Sequence, residues 1–233
     1  VVVGVGDVIR VGDSELAVVD RQEPPPVPAS APPPALTIVR EMSRASLQRL
    51  PQAQAPAADA PRDEASVLLT DIALTPAQWA SLDPTLARTL ASAHDDTIVA
   101  CVAAHDGAIV ATDGLGRMGA IFRVASAGVG CAADVLQRLA ARSREHPELP
   151  IPARLAIHTA PVDAVLAGGA QGAAAAVLAA AGPWQLAVSR ATAAALGPGA
   201  PALTQAPPSG APGAAEAQPA LVDWQSVPIA NPR

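Results

Sequence analysis

The residues best placed for chemistry lie in the stretch from Ser66 to Thr75, SVLLTDIALT, where the apolar run Val67-Leu68-Leu69 closes on a carboxylate, Asp71. Hard divalent cations take oxygen ligands, and an acid at the end of a buried strand can hold one at the mouth of a sheet. The same residues also fit a core strand followed by a solvated aspartate. Other chemistry-bearing side chains offer less. His94, His105, His146 and His158 are too dispersed for a ligand cluster, and His158 follows a core strand, where a structural hydrogen bond is expected. Cys101 and Cys131 sit in apolar helical patterns without metal-ligand spacing, which reads as buried free thiols in a reducing compartment. Ser189 has no His/Asp arrangement to activate it, and Gly12-Asp13-Ser14 lacks the strand-to-helix elbow of a hydrolase.

Composition narrows the partners. The chain has 233 residues, enough for one sizeable domain with appendages, and a net charge of −6. Neutralising phosphates takes clustered positive charge, whereas the basic residues here are scattered arginines with no lysine, so nucleic acid is excluded as a partner. The hydrophobic half is mostly alanine and valine, with Trp79, Trp184, Trp224 and Phe122 as the aromatics, so buried area depends on close helix packing. VVVGVGDVIR carries no secretory signal, and the uncharged run from Ala164 to Ser189 is broken by Gly182-Pro183 and reads as helix, turn and strand rather than a membrane span. A cytoplasmic location is expected.

The elements that must position Asp71 follow in order. Residues 1–20 alternate apolar and polar around Gly6-Asp7 and Gly12-Asp13, a β-hairpin pattern. A lone hairpin is marginal in water, so it reads as the end of a larger unit. Residues 21–63 are a Pro/Ala-rich linker with a short amphipathic helix expected within Leu36–Leu50. The main domain spans 64–196. Thr75-Pro76 and Asp83-Pro84 each supply an N-cap followed by a first-turn proline, predicting helices from Pro76 to Leu82 and from Pro84 to about Ala104, the second burying Leu86, Leu90, Ala93, Ile98, Cys101 and Val102. Strands are predicted at Ala108–Ala111 and Met118–Phe122 around the turn Thr112-Asp113-Gly114-Leu115-Gly116-Arg117. A helix over Ser126–Ser143, a strand over Arg154–Thr159, a helix over Gly169–Ala181, a strand over Gln185–Ser189 and a helix over Arg190–Leu196 complete it. Residues 197–233 read as a Pro/Gly/Ala-rich loop with a last strand at Leu221–Val227.

A strand ending in Asp, two helices, a hairpin, a helix, a strand, a helix and a strand is the order of a ferredoxin-like α+β domain, a central antiparallel sheet with flanking helices. In detail the chain resembles the catalytic domain of class III nucleotidyl cyclases. The resemblance rests on Leu68-Leu69-Thr70-Asp71-Ile72, Ala93-His94-Asp95, Ala103-Ala104-His105-Asp106-Gly107, Gly119-Ala120-Ile121-Phe122 with Ser126-Ala127, Arg154-Leu155-Ala156-Ile157-His158-Thr159, and Gln185-Leu186-Ala187-Val188-Ser189-Arg190-Ala191-Thr192. Over Gly6 to Leu16 the chain is also similar to the last two strands of a forkhead-associated domain, a phosphothreonine-binding sandwich whose phosphate-binding loops precede those strands.

The cyclase resemblance implies conversion of ATP or GTP to a cyclic nucleotide with two Mg²⁺ or Mn²⁺ ions roughly 4 Å apart, activating the ribose hydroxyl and clamping the triphosphate. It makes Asp71 and the backbone carbonyl of Ile72 metal ligands. The second metal aspartate belongs at the hairpin tip, where this chain has Leu115 or Gly116, and Asp113 is the nearby carboxylate that could be displaced into the role. The bland reading is a turn aspartate favoured by its own Asx hydrogen bonding. The purine-reading lysine is replaced by Ala111 or Thr112, and its acidic partner leaves only Asp163. The Asn-x-x-x-Arg helix becomes Gln171-Gly172-Ala173-Ala174-Ala175, so no residue is assigned a catalytic role. The resulting expectation is a degenerate cyclase domain, inactive or very weak, with a dimerising or regulatory role in signalling as a homodimer or with another cyclase-type domain. The alternatives are an active cyclase with a rearranged metal site on Asp71 and Asp113, and a scaffold whose Pro-rich segments bind partners.

Overall fold

The structure, a computed structural model, describes the backbone of residues 8–11, 14–17 and 37–38, and residues 63–113, 116–197, 200–205 and 219–227 in full. It divides into two compact units, residues 1–34 and 35–233. In the first, β1 (Val8–Val11) pairs antiparallel with β2 (Ser14–Ala17), Val11 opposite Ser14. The helix expected within Leu36–Leu50 falls outside the described residues, apart from β3 (Thr37–Ile38), a two-residue strand at a sheet edge.

The second unit is a mixed sheet flanked by helices, an α+β fold. Its strands are β3, β4 (Glu64–Ile72), β5 (Ala108–Thr112), β6 (Met118–Phe122), β7 (Ala153–Pro161), β8 (Gln185–Val188), β9 (Leu203–Gln205) and β10 (Ala220–Val222), in the spatial order β3-β5-β6-β4-β7-β8-β10-β9. The sheet departs from a purely antiparallel arrangement at one place: β7 and β8 run parallel. Parallel neighbours need a crossover, and α4 (Val162–Leu166) and α5 (Gly169–Ala179) supply it.

β4 is the centre because both its faces are covered. Side chains alternate across a strand, so Leu68 and Ile72 enter one core with Phe122, Leu136, Leu155 and Ile157. Val67 and Leu69 enter another with Ile121, Ala156, Val165 and Ala174. A strand buried on two sides reads as a continuous apolar run, which is why VLL lacks polar alternation. The first core lies under α2 (Pro84–Ala104) and α3 (Ala125–Glu145), the second under α4 and α5.

Local signals set the helix starts. α1 (Pro76–Ser81) begins with a capping box: Gln78 N–H donates to Thr75 Oγ1 at 3.2 Å and Thr75 N–H to Gln78 Oε1 at 2.8 Å. Asp83 caps α2 through the N–H groups of Thr85 and Leu86, and these bonds lower its carboxyl pKa. α2 ends before Asp106, whose φ of 57° turns the chain, and Gly107, where a Cβ would stand 2.4 Å from the Phe122 ring. The buried side of α2 differs from expectation at Leu86 and Ala93, which are half-buried, and at His94, which is fully buried. Past Leu196, where α6 (Arg190–Leu196) ends, the expected loop contains β9, paired with β10, and the expected last strand stops at Val222 before a 3₁₀ turn, Trp224–Ser226.

Candidate functional site

Asp71 sits where β4 outruns one neighbour. The β4–β6 pairing stops at Thr70 opposite Met118, whereas the β4–β7 pairing continues through Asp71 opposite Arg154 and Ile72 opposite Ala153. Alternation puts Asp71 on the face of Val67 and Leu69, and Arg154 on the face of Ala156, so directly paired residues share one side of the sheet. Their side chains meet. Arg154 Nη2 donates to Asp71 Oδ2 at 2.6 Å and Arg154 Nε to the same oxygen at 3.1 Å. Arg117 Nη2 approaches that oxygen at 3.6 Å from the start of the β6 arm. Asp71 is 13% exposed, so this convergence lies largely out of bulk solvent.

The hairpin turn brings the other nominated carboxylate to the same residue. Asp113 N–H donates to Arg117 C=O at 3.1 Å, and Arg117 N–H donates to Asp113 Oδ1 at 2.9 Å. Arg117 therefore joins Asp113 through its backbone and Asp71 through its guanidinium. Gly114 and Leu115 lie outside the described residues. Gly116 has φ +91°, and a Cβ there would stand 2.5 Å from Ile72 Cδ1, so both conformation and space call for glycine. The Ile72 carbonyl, the third nominated ligand, accepts the Leu74 N–H at 2.8 Å.

Two guanidiniums on one carboxylate oxygen, with the next carboxylate engaged by a backbone N–H, do not fit a pair of divalent cations. Such ions need several oxygen ligands carrying surplus negative charge. Among the described residues no group of three or more His, Cys, Asp or Glu side chains could hold a metal ion.

Elsewhere most of the nominated side chains have structural partners. His94 Nδ1 lies 3.0 Å from Asp95 Oδ1, His105 Nε2 lies 3.6 Å from the buried Asp134, and His146 Nδ1 lies 3.4 Å from Glu148. His158 departs from the expected structural hydrogen bond: its Nδ1 is buried without a partner, and burial lowers its pKa. Burial, reinforced by Asp134, pushes the Cys101 thiol up to about 12, and burial with Cys101 beside it raises Cys131 well above the ordinary thiol range. Ser189 caps α6, accepting the Thr192 N–H at 3.1 Å. α5 contains no charged residue, Ala111 is buried in β5, and Asp163 lies in the first turn of α4. Sequence reasoning missed Arg117 and Arg154. Arg154 is 83 residues from Asp71, and only strand register brings them together.

Comparison with protein-family models gives no match, and neither does comparison with curated proteins. Solved structures do match. The chain is similar to an adenylate/guanylate cyclase/hydrolase from Silicibacter pomeroyi at 22% identity and TM-score 0.55, over 70% of this chain and 96% of that one. It is similar to adenylate cyclases from Trypanosoma brucei in their monomeric state at 18% identity and TM-score 0.57, over 75% and 95%. A dimeric guanylyl cyclase domain of the RhoGC fusion protein from the aquatic fungus Blastocladiella emersonii matches at 11% identity and TM-score 0.55, over 69% and 96%. The fold is therefore that of an adenylate/guanylate cyclase catalytic domain.

Proposed function

We propose that residues 64–196 are a degenerate nucleotidyl cyclase-like module, inactive or very weak as an enzyme, that acts in signalling by pairing with a second copy or with another cyclase-type domain. The observation that carries this reading is α5, GAQGAAAAVLA, which occupies the place of the helix expected to bring an arginine to the transferring phosphate and contains no cation. Such an arginine is worth on the order of 10³ to 10⁵ in rate. Its loss together with the second metal aspartate leaves a fold that can assemble but has little to catalyse with. In an intact site Mg²⁺ or Mn²⁺ would neutralise the triphosphate and activate the ribose hydroxyl. The hairpin at Val8–Ala17, with its likeness to the end of a forkhead-associated domain, suits a signalling context. No helix among the described residues is long and apolar enough to cross a membrane.

The alternative, a weak cyclase on a metal held by Asp71, the Ile72 carbonyl and Asp113, would need the Arg117 and Arg154 guanidiniums to leave Asp71. Sedimentation velocity of the full chain over a wide concentration range, with calorimetric titration of ATP and GTP in Mn²⁺, separates the two. Reversible self-association without nucleotide turnover supports the first reading, and turnover supports the second.

A further inference from the structure

At the end of β4 the chain supplies its own cations. One carboxylate and two guanidiniums give the Asp71, Arg117 and Arg154 cluster a net charge of +1, and counting Asp113 beside Arg117 only brings the charges into balance. A divalent ion entering here would meet no surplus negative charge, and two fixed positive ones. From this we infer that Arg117 and Arg154 stand in for the divalent cations of a cyclase-type site: the guanidiniums neutralise Asp71 permanently, and the sheet end binds neither Mg²⁺ nor Mn²⁺. The inference rests on the reading of the domain as a degenerate cyclase module and says what became of its metal site.

The two arginines are held by different means. Arg154 is placed by register, directly opposite Asp71, and it spends two N–H groups on one oxygen. Arg117 is placed by the turn, because its own N–H and C=O are both bonded to Asp113. A guanidinium stays charged at any working pH and presents its donors in a fixed plane, so it can replace an ion where a lysine, compact and strongly hydrated, would remain free to swing away. For a metal to reach Asp71, both guanidiniums would have to turn outward. The Arg117 side chain is only 24% exposed and starts from the closed neck of the hairpin, so little room is left for that motion.

The test uses the full chain and Mn²⁺ alone, read by the loss of the free-ion electron paramagnetic resonance signal on binding. The wild-type protein is expected to leave the signal unchanged. The Arg117→Gln/Arg154→Gln variant, which frees the carboxylates, is expected to take up about one ion per chain, and adding Asp71→Asn should abolish that uptake. Mn²⁺ binding by the wild type that Asp71→Asn removes would overturn the inference, and this arm depends on no arginine variant. A double variant with native circular dichroism that binds no ion would overturn it from the other side. Mn²⁺ at Asp71 in a protein making no cyclic nucleotide contradicts only this inference, whereas cyclic nucleotide production contradicts the functional reading beneath it.

Discussion

Replacing Asp71 with alanine removes the acceptor on which two guanidiniums converge, and the structure sets the size of the effect. Deleting one partner of a fully buried ion pair costs roughly 3–5 kcal/mol, because the remaining charge stays desolvated. Arg154 and Arg117 are 32% and 24% exposed, so water recovers part of that loss for each. A cost of about 2 kcal/mol follows, between the buried and surface limits. For a domain of this size that lowers Tm by about 4–8 °C. Arg154→Met should cost less, since Arg117 remains 3.6 Å from the carboxylate. Thermal or urea unfolding of Asp71→Ala, Arg154→Met and the double variant gives the coupling energy, expected at about 1 kcal/mol or more. Single effects that add to within about 0.5 kcal/mol would mean a solvent-screened pair, and the closed cluster would be refuted.

Three further outcomes are expected. Gly116→Ala should destabilise the hairpin by about 1–3 kcal/mol, because alanine pays for the left-handed backbone and its Cβ meets Ile72, an effect visible in the unfolding midpoint. Thr192→Val should cost about 0.5–1.5 kcal/mol, since it removes the Thr159 Oγ1 to Thr192 Oγ1 bond at 3.1 Å and the Thr192 Oγ1 to Ile157 carbonyl bond, while Ser66 Oγ at 2.8 Å and the Ser189 N–H at 2.9 Å keep the two freed groups paired. Cys101 and Cys131 should resist a disulfide reagent at pH 8 until the protein is unfolded. Their pKa values are raised on folding, so the stability they contribute is intact below the ordinary thiol value of 9.0 and is lost as pH rises from there towards about 12, the Cys101 value.

Much of the fold can be read from local sequence because its signals are local. Thr75-Pro76 and Asp83-Pro84 announce their helices within a few residues, and the run ending at Asp71 marks the central strand without tertiary information. What depends on distant pairing cannot be read that way. Arg154 meets Asp71 through register alone, and Arg117 looks like a turn residue until the turn is closed. β9 hides in a Pro/Gly/Ala-rich segment because its side chains are all exposed and so carry no burial pattern. His94 falls on the buried side of α2 even though its type argues for the surface, its Nδ1 facing Asp95. The carboxylate was legible as a candidate ligand; the cations that occupy it were not.

Whether this cyclase-type fold catalyses at all is open to direct test. The most direct measurement is cyclic nucleotide production by the purified chain with Mn²⁺ and either ATP or GTP, run beside Asp71→Ala. A yield of cyclic AMP and cyclic GMP indistinguishable from that of the variant is the expected result. Steady production by the wild type that disappears in Asp71→Ala would contradict it.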